Sequence, residues 1–279
     1  MKRLLRKRFV FPLLAIILFL LGIVSCQSKL IYFPRPYEHG YTERWQQVTQ
    51  GKILSFQTSQ GKQQAYLLGS QQQKSPERLW LVCGGNGTLA GDWTMWMRHD
   101  APPEDAYLLI DYPGYGANQG SPTPQRIREN VNQALALAAS EYHWSKEELR
   151  SKARFFGHSL GCAAALQGAE DHGIHRGILL SPFTSTMDMA QEVIGAPLGF
   201  LVVHRFDNAK RLREISSFDD AQIKIFHGQA DPVIPFTMSQ QLQNIAPQKI
   251  SLELIANGGH NDLTELVSAK IVAAMRAVR

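Results

Sequence analysis

Short apolar runs alternate with longer amphipathic segments along most of this 279-residue chain. Two β-like segments come first, at residues 53–58 and 63–68, joined by a turn at residues 60–61. Apolar runs then predict strands at residues 79–83, 107–110, 155–156, 177–180, 223–226 and 250–254. Helical periodicity predicts helices at residues 93–98, 124–141, 159–172, 235–245 and 261–278. This alternation is typical of an α/β fold, in which helices cover both faces of a mostly parallel sheet.

The first 25 residues differ from the rest of the chain and predict a signal peptide. Five of the 29 basic residues lie within the first eight positions, and an uncharged apolar stretch follows at residues 9–24. A transmembrane helix needs about 20 apolar residues, so this stretch fits a signal-peptide core better. Residues 23–26 read Ile-Val-Ser-Cys and resemble a bacterial lipobox, which implies cleavage before Cys26 and acylation of that cysteine. An uncleaved signal anchor and a plainly secreted protein are the alternatives.

The charge distribution supports membrane targeting and argues against a nucleic-acid partner. Outside the N-terminal cluster, 24 basic residues balance 24 acidic ones, so the net charge of +5 comes from the N-terminus. We therefore expect a lipoprotein of the cell envelope that faces away from the cytoplasm. Gln27 stands where an inner-membrane retention signal usually has aspartate, which favours the outer membrane if the cell has one. Residues 26–279 are enough for one α/β domain.

A serine motif follows the predicted strand at residues 155–156. Residues 157–161 read Gly-His-Ser-Leu-Gly, the G-x-S-x-G pattern of a nucleophile elbow, in which a tight turn forces the serine to a positive φ. Gly157 and Gly161 are the small neighbours that such a turn needs. We expect the hydroxyl of Ser159 to stand clear of the backbone, within reach of a base and a substrate.

The expected base and acid follow the last two predicted strands. A serine hydroxyl needs a general base at neutral pH, and His260 follows two glycines directly after the last strand. Asp231 follows the preceding strand and is expected to accept the Nδ1 proton of His260. The order Ser159, Asp231, His260 is that of α/β-hydrolases and differs from the trypsin and subtilisin orders. Asp262 is expected to N-cap the final helix, and Asp111 to be structural.

Two backbone N–H groups are needed to hold the oxyanion of a tetrahedral intermediate. Leu160, the residue after the nucleophile, is expected to supply one of them. The glycine-rich turn at residues 84–88 is expected to supply the other, from Asn86 or, as second choice, from Gly85. A dinucleotide site is the rival interpretation of this turn, but the G-x-G-x-x-G spacing is missing.

On these motifs the chain resembles an α/β-hydrolase, specifically the small serine hydrolases without a large cap domain. The resemblance covers about residues 30–275 and includes Tyr-Phe-Pro at 32–34, Asp-Tyr-Pro-Gly-Tyr-Gly at 111–116 and Ser-Pro-Phe-Thr at 181–184. It implies an α/β-hydrolase fold with a short cap insertion at about residues 184–220. Two positions depart from the family: Gly84 stands where histidine is frequent, and Cys162 where glycine is frequent.

The resemblance implies a serine hydrolase that cleaves carboxylic esters or thioesters through an acyl-enzyme on Ser159. A serine peptidase or amidase with the same triad is the first alternative, and a non-catalytic envelope lipoprotein of the same fold is the second. The expected partners are a small-molecule or acylated substrate and a membrane, reached through the lipid on Cys26. No group of His, Cys and carboxylate residues has metal-ligand spacing, so we expect neither a metal nor an organic cofactor.

Several apolar and thiol side chains are expected close to the site. Trp93, Met95, Trp96 and Met97 follow the oxyanion turn, and we expect most of them to pack in the body of the protein with one or two facing substrate. We likewise expect the apolar part of the cap insertion to pack mainly on the body of the protein. The two remaining cysteines, at positions 83 and 162, are expected to lie close together, as separate buried thiols or, less favoured, as a disulfide.

Overall fold

The computed structural model of the chain describes residues 22, 27–29, 31–195 and 202–278. In chain order the strands are β1 (Lys52–Thr58), β2 (Gly61–Leu68), β3 (Leu79–Cys83), β4 (Ala106–Ile110), β5 (Ala153–His158), β6 (Arg176–Leu180), β7 (Gln222–Gly228) and β8 (Ile250–Ile255). The helices are α1 (Tyr41–Thr49), α2 (Ala90–His99), α3 (Pro124–Glu141), α4 (Lys146–Lys152), α5 (Leu160–His172), α6 (Thr186–Ile194), α7 (Asn208–Ile215), α8 (Phe236–Gln243), α9 (Leu263–Leu266) and α10 (Ser268–Ala277).

The strands form one mostly parallel sheet in the order β1-β2-β4-β3-β5-β6-β7-β8. Strand β2 pairs antiparallel with both β1 and β4, and every later pair, from β4–β3 to β7–β8, is parallel. The predicted α/β fold with a mostly parallel sheet is thus confirmed. In such a sheet the carboxyl ends of the parallel strands meet at one edge, where ligand sites form.

The central strands are apolar throughout because both faces of the sheet are covered. All five residues of β3 are buried, and successive side chains of a strand point to opposite faces. Leu79, Leu81 and Cys83 pack in the core with α3 and α5. Trp80 and Val82 pack in a second core, with α2 and α10. A strand that supplies two cores has no polar face, which explains the continuous apolar run.

Three parts of the secondary structure differ from the sequence prediction. Helix α1 was not predicted, because it is polar overall and buries only Trp45 and Thr49. Helix α4 was not predicted either, although Ser145 and Glu148 form a capping box at its start. The single final helix predicted at residues 261–278 is two helices, α9 and α10, separated at Val267, whose φ of −132° breaks the helix.

The predicted cap insertion contains α6 and α7. Leu212 and Ile215 of α7 are buried in the core that contains α5, so this half of the insertion packs on the body of the protein. Residues 196–201, between the two helices, lie outside the described part of the chain.

The predicted signal peptide and Cys26 also lie outside the described residues, apart from Gly22. No helix in the described ranges combines the length and apolar character needed to cross a bilayer. Cys83 and Cys162 are both buried free thiols, and burial raises the pKa of each thiol well above its usual value. They are separate thiols, as favoured from the sequence.

Candidate active site

The serine motif forms a strained turn between β5 and α5. Ser159 has φ 53° and ψ −121°, a conformation that costs about 1–3 kcal/mol for a residue with a Cβ. A Cβ on Gly157 would lie 2.6 Å from Cα of Cys162, and a Cβ on Gly161 would lie 2.0 Å from the carbonyl oxygen of Cys83. Both positions therefore require glycine for this turn to form, as the G-x-S-x-G pattern predicts.

Ser159, His260 and Asp231 form one hydrogen-bonded chain at the carboxyl edge of the sheet. Nε2 of His260 lies 2.9 Å from Oγ of Ser159, and Nδ1 of His260 lies 2.7 Å from Oδ2 of Asp231. An ionised carboxylate only accepts hydrogen bonds, so Nδ1 donates and Nε2 is free to accept from the serine hydroxyl. The structure thus brings together the three residues singled out from the sequence.

Close packing of two loops places the acid beside the base. Gly228 ends β7, and a Cβ there would lie 2.1 Å from the carbonyl oxygen of Gly258, in the loop after β8. The N–H of Ala230 donates to the same carbonyl oxygen at 3.0 Å. The carboxylate of Asp262 accepts from the N–H of Gly259 at 2.8 Å and makes no capping hydrogen bond to α9. Asp262 therefore occupies the N-cap position of α9, as predicted, but its side chain holds the glycine turn before His260 instead of capping the helix.

Asp231 is held as a carboxylate by hydrogen bonds. Its side chain is fully buried, and burial alone would raise its pKa. Donation from His227 and His260 and from the backbone N–H groups of Ile234 and Val233 outweighs burial, so the pKa of Asp231 lies well below its usual range. The acid therefore stays negative at neutral pH, as an orienting partner for His260 must.

The glycine-rich turn lies directly against the elbow. A Cβ on Gly85 would lie 3.4 Å from Cβ of Ser159, so this turn borders the nucleophile on one side. Leu160 borders it on the other, as the first residue of α5, where a helix leaves its N–H groups without an intrahelical acceptor. Leu160 and Gly85, two of the predicted oxyanion residues, therefore lie next to the serine, and Asn86 follows Gly85 in the same turn.

The side chain of Asn86 fastens this turn to the N-terminal part of the domain. Its Oδ1 accepts from the N–H of Phe33 at 2.9 Å and from the hydroxyl of Tyr115 at 2.8 Å, and its Nδ2 donates to the carbonyl oxygen of Ile31. Both polar atoms of this side chain are thus engaged within the protein, with one N–H of Nδ2 left over.

The comparisons with known proteins give the family of this chain. A model of the alpha/beta hydrolase family matches residues 81–230, which is more than half of the chain. The chain belongs to the alpha/beta hydrolase family. An uncharacterized protein of Mycobacterium tuberculosis, Rv2307c, is 29% identical over 197 residues, and the match covers 69% of this chain. The chain spans 66% of that relative, just under two thirds of its length.

Two solved structures show the same fold. The alpha-beta hydrolase of Vibrio vulnificus superposes with a TM-score of 0.66 at 14% identity, over 92% of each chain. The esterase Pf2001 of Pyrococcus furiosus superposes with a TM-score of 0.64 at 12% identity, over 89% of this chain and 98% of that chain. At these identities the likeness establishes the fold.

One departure of this chain from the family pattern has a structural reason. A Cβ on Gly84 would lie 2.4 Å from Oγ1 of Thr88 and 2.8 Å from Nε1 of Trp93. The space that a histidine would need is therefore filled by these two side chains. The hydroxyl of Tyr112 donates to the carbonyl oxygen of Gly84 at 2.7 Å, so the turn keeps a hydrogen bond without the histidine.

Two histidines of the hydrolase site were not singled out from the sequence. His158, the variable residue of the elbow motif, donates from Nε2 to the carbonyl oxygen of His260 at 2.8 Å. Burial lowers the pKa of His158 to about 4, so its ring is neutral at pH 7. His227 contacts Asp231, with Nε2 3.3 Å from Oδ2. His158 lies inside the elbow motif and His227 near the end of β7, but only the folded chain shows which atoms they contact.

A cavity of about 210 Å³ lies beside His260. Its apolar lining includes Trp93, Trp96, Leu180 and Leu263. Two larger surface clefts, of about 610 and 530 Å³, contain no residue of the triad. This small cavity is therefore the candidate space for a substrate group next to the base.

The four residues after the oxyanion turn lie in three different environments, and Met95 does not pack in the body of the protein as expected. Met97 is fully buried in the core and Met95 is exposed, whereas Trp93 and Trp96 line the cavity beside His260. Across the described ranges, no cluster of three or more His, Cys, Asp or Glu side chains is arranged to hold a metal ion.

Proposed function

We propose that this hydrolase cleaves carboxylic esters or thioesters with Ser159 as its nucleophile. The observation that carries the proposal is the continuous contact from Ser159 Oγ through His260 to Asp231, at 2.9 and 2.7 Å. A nucleophile within hydrogen-bond reach of a base, which is itself oriented by an acid, is the arrangement that activates a serine hydroxyl.

Each residue has one part in the proposed reaction. Oγ of Ser159 attacks the acyl carbonyl carbon while its proton passes to Nε2 of His260. The N–H groups of Leu160 and Asn86 hold the oxyanion, with Gly85 as the second choice for the turn's donor. His260 then protonates the leaving alcohol or thiol, and an acyl-enzyme remains. Water, activated by the same imidazole, releases the acid and restores the serine; Asp231 stabilises the imidazolium in both halves.

An ester or thioester is the preferred substrate class. Solved neighbours described as esterases, such as Pf2001 of Pyrococcus furiosus, share the fold. A serine peptidase or amidase with the same triad is the alternative within the enzymes. A non-catalytic envelope protein of this fold is less favoured, because a scaffold gains nothing from a buried serine held at φ 53° beside a histidine.

A covalent probe tests the proposal. We expect a fluorophosphonate to label the wild-type protein and to leave Ser159→Ala unlabelled. Ser181→Ala is the matched control, because Ser181 is also buried at a positive φ of 47° and its hydroxyl has no partner among the described residues. Wild type that resists the probe, or Ser159→Ala that retains turnover, would overturn the mechanism. A panel of esters, thioesters and amides would then rank the leaving groups.

We further propose that a lipid on Cys26 holds the domain at the outer face of a membrane. The residues directly after Cys26 pack onto the domain: Oε1 of Gln27 accepts from the N–H of Val203 at 2.8 Å, and Oγ of Ser28 lies 3.2 Å from Nε2 of His204. The lipid would therefore be close to the domain surface. Such an anchor favours amphiphilic or membrane-delivered substrates, and the expected location is the outer membrane where the cell has one.

Metabolic labelling tests the anchor. In a bacterial host fed an alkyne analogue of palmitate, we expect label in the wild-type protein and in Cys83→Ala, and none in Cys26→Ser. The control removes a buried thiol that no lipid enzyme reaches. Label retained by Cys26→Ser, or wild type without label in the membrane fraction, would contradict the anchor and leave the catalytic proposal untouched.

A further inference from the structure

Asp231 receives a hydrogen bond from a second histidine, at the end of β7. His227 is fully buried, with Nε2 3.3 Å from Oδ2 of Asp231 and 2.9 Å from the carbonyl oxygen of Ile234. Its Nδ1 lies 2.6 Å from Oγ of Ser239. Building on the proposed function, we propose that His227 is a positioning residue, which holds the carboxylate of Asp231 in the orientation that His260 requires.

The contacts of His227 decide where its proton lies. A carbonyl oxygen only accepts, so Nε2 must carry the proton that reaches Ile234. The same N–H also points to Oδ2 of Asp231, which makes it a donor shared between two acceptors. On the other side of the ring, Nδ1 makes a hydrogen bond with the hydroxyl of Ser239, which is itself fully buried on α8. The ring is therefore fixed from both ends.

The two oxygens of Asp231 are held in different ways. Backbone N–H groups of Val233 and Ile234 donate to Oδ1 at 2.8 and 2.9 Å. Oδ2 receives the Nδ1 proton of His260 and is also contacted by His227. Rotation about the Cβ–Cγ bond of Asp231 moves both oxygens together, so a turn that takes Oδ2 out of line with His260 also pulls Oδ1 away from its backbone donors. The N–H of His227 opposes that rotation.

Water cannot replace this histidine. The side chains of His227 and Asp231 are both fully buried. Removal of the His227 N–H therefore takes a hydrogen-bond donor away from Oδ2 of Asp231 at a site shielded from solvent. His227 makes no contact with Ser159 and is not in the lining of the cavity beside His260. We therefore expect its loss to lower kcat through the orientation of Asp231 and His260, with little change in KM.

Two substitutions of His227 separate positioning from packing. His227→Leu fills a similar volume without a donor, whereas His227→Gln places an amide N–H close to the position of Nε2. In full-length protein in detergent micelles, with a short-chain p-nitrophenyl ester, we expect His227→Leu to lose about 10- to 100-fold in kcat. KM should stay within about threefold, and His227→Gln should recover most of kcat.

Ser239→Ala tests the same idea without touching the histidine. It removes the hydroxyl that holds Nδ1, so we expect a smaller fall in kcat, again with KM unchanged. Urea unfolding of each variant reports stability separately.

Equal kcat in His227→Leu and His227→Gln would overturn the inference, as would wild-type kcat in His227→Leu. If His227→Leu does not fold, the other two variants decide the test. The inference is then overturned if Ser239→Ala retains the wild-type kcat and His227→Gln shows no measurable activity. Fluorophosphonate labelling of wild type is measured first, because its absence would reject the proposed nucleophile rather than the part of His227.

Discussion

Gly161, the closing glycine of the elbow, holds the two halves of the proposed oxyanion site together. It follows Leu160 at the start of α5, and a Cβ on it would lie 2.0 Å from the carbonyl oxygen and 2.5 Å from the carbonyl carbon of Cys83. It would also lie 2.5 Å from the carbonyl oxygen of Gly84. All three atoms belong to the backbone that leads into the oxyanion turn, so no side chain can rotate away to relieve the contact.

Gly161→Ala should therefore separate the two proposed donors. To bring the contact with Cys83 from 2.0 Å to an ordinary distance of 3.4 Å, the elbow and the turn must move apart by about 1.4 Å. Loss of one oxyanion donor costs about 10²–10³ in kcat, or about 2.7–4 kcal/mol of transition-state stabilisation. Overpacking should also lower the free energy of unfolding, by about 1–3 kcal/mol.

The assay compares kcat and KM for a short-chain ester with the rate of fluorophosphonate labelling. Gly69→Ala is the matched control, because a Cβ on Gly69 meets nothing within 4 Å. We expect the control to match wild type, and Gly161→Ala to lose about 10²–10³ in kcat while it still unfolds cooperatively in urea. A folded Gly161→Ala with kcat within threefold of wild type would refute the idea that this contact sets the oxyanion site.

Three further predictions concern the same site. Asn86→Ala loses its hydrogen bonds to the N-terminal segment and Tyr115, so urea titration should show a loss of about 3 kcal/mol in unfolding free energy; a loss below about 1 kcal/mol would contradict it. Asp231→Asn should lower kcat by about 10⁴ because His260 loses its orienting carboxylate, with KM nearly unchanged; kcat near wild type would exclude Asp231 as the acid. Burial lowers the pKa of His158 to about 4. Below about pH 6.5, His158 therefore becomes protonated in the unfolded chain while it stays neutral in the folded chain, which lowers the free energy of unfolding. Between pH 7 and pH 4, the free energy of unfolding measured by urea titration should therefore fall by about 3 kcal/mol more in the wild type than in His158→Gln. If the two proteins lose the same free energy of unfolding over this range, His158 does not cause the loss.

The helices that were missed show where local pattern falls short. α4 carries a capping box in its sequence, at Ser145 and Glu148, and could have been found from that signal. α1 has no comparable signal, because its position depends on Trp45 packing between Tyr66 and Thr94. That contact joins distant parts of the chain, so local periodicity does not report it.

The reactive residues were accessible from the sequence because the elbow is a local device. A serine at positive φ needs glycines on both sides, and these are visible within five residues. The acid and the base were found from their places after predicted strands. Their supporting contacts were not: His227 looks like any strand residue until the turn after β7 brings Asp231 back against it.

The sequence by itself determined the strands, the mostly parallel sheet, the elbow and the order Ser159, Asp231, His260, because each follows from local sterics and the burial of apolar runs. Only the tertiary structure decided the strand order, the attachment of the oxyanion turn to the N-terminal segment through Asn86, and the second histidine on Asp231. These depend on atoms that meet across tens of residues, and their hydrogen bonds form only once the sheet has placed the loop ends together.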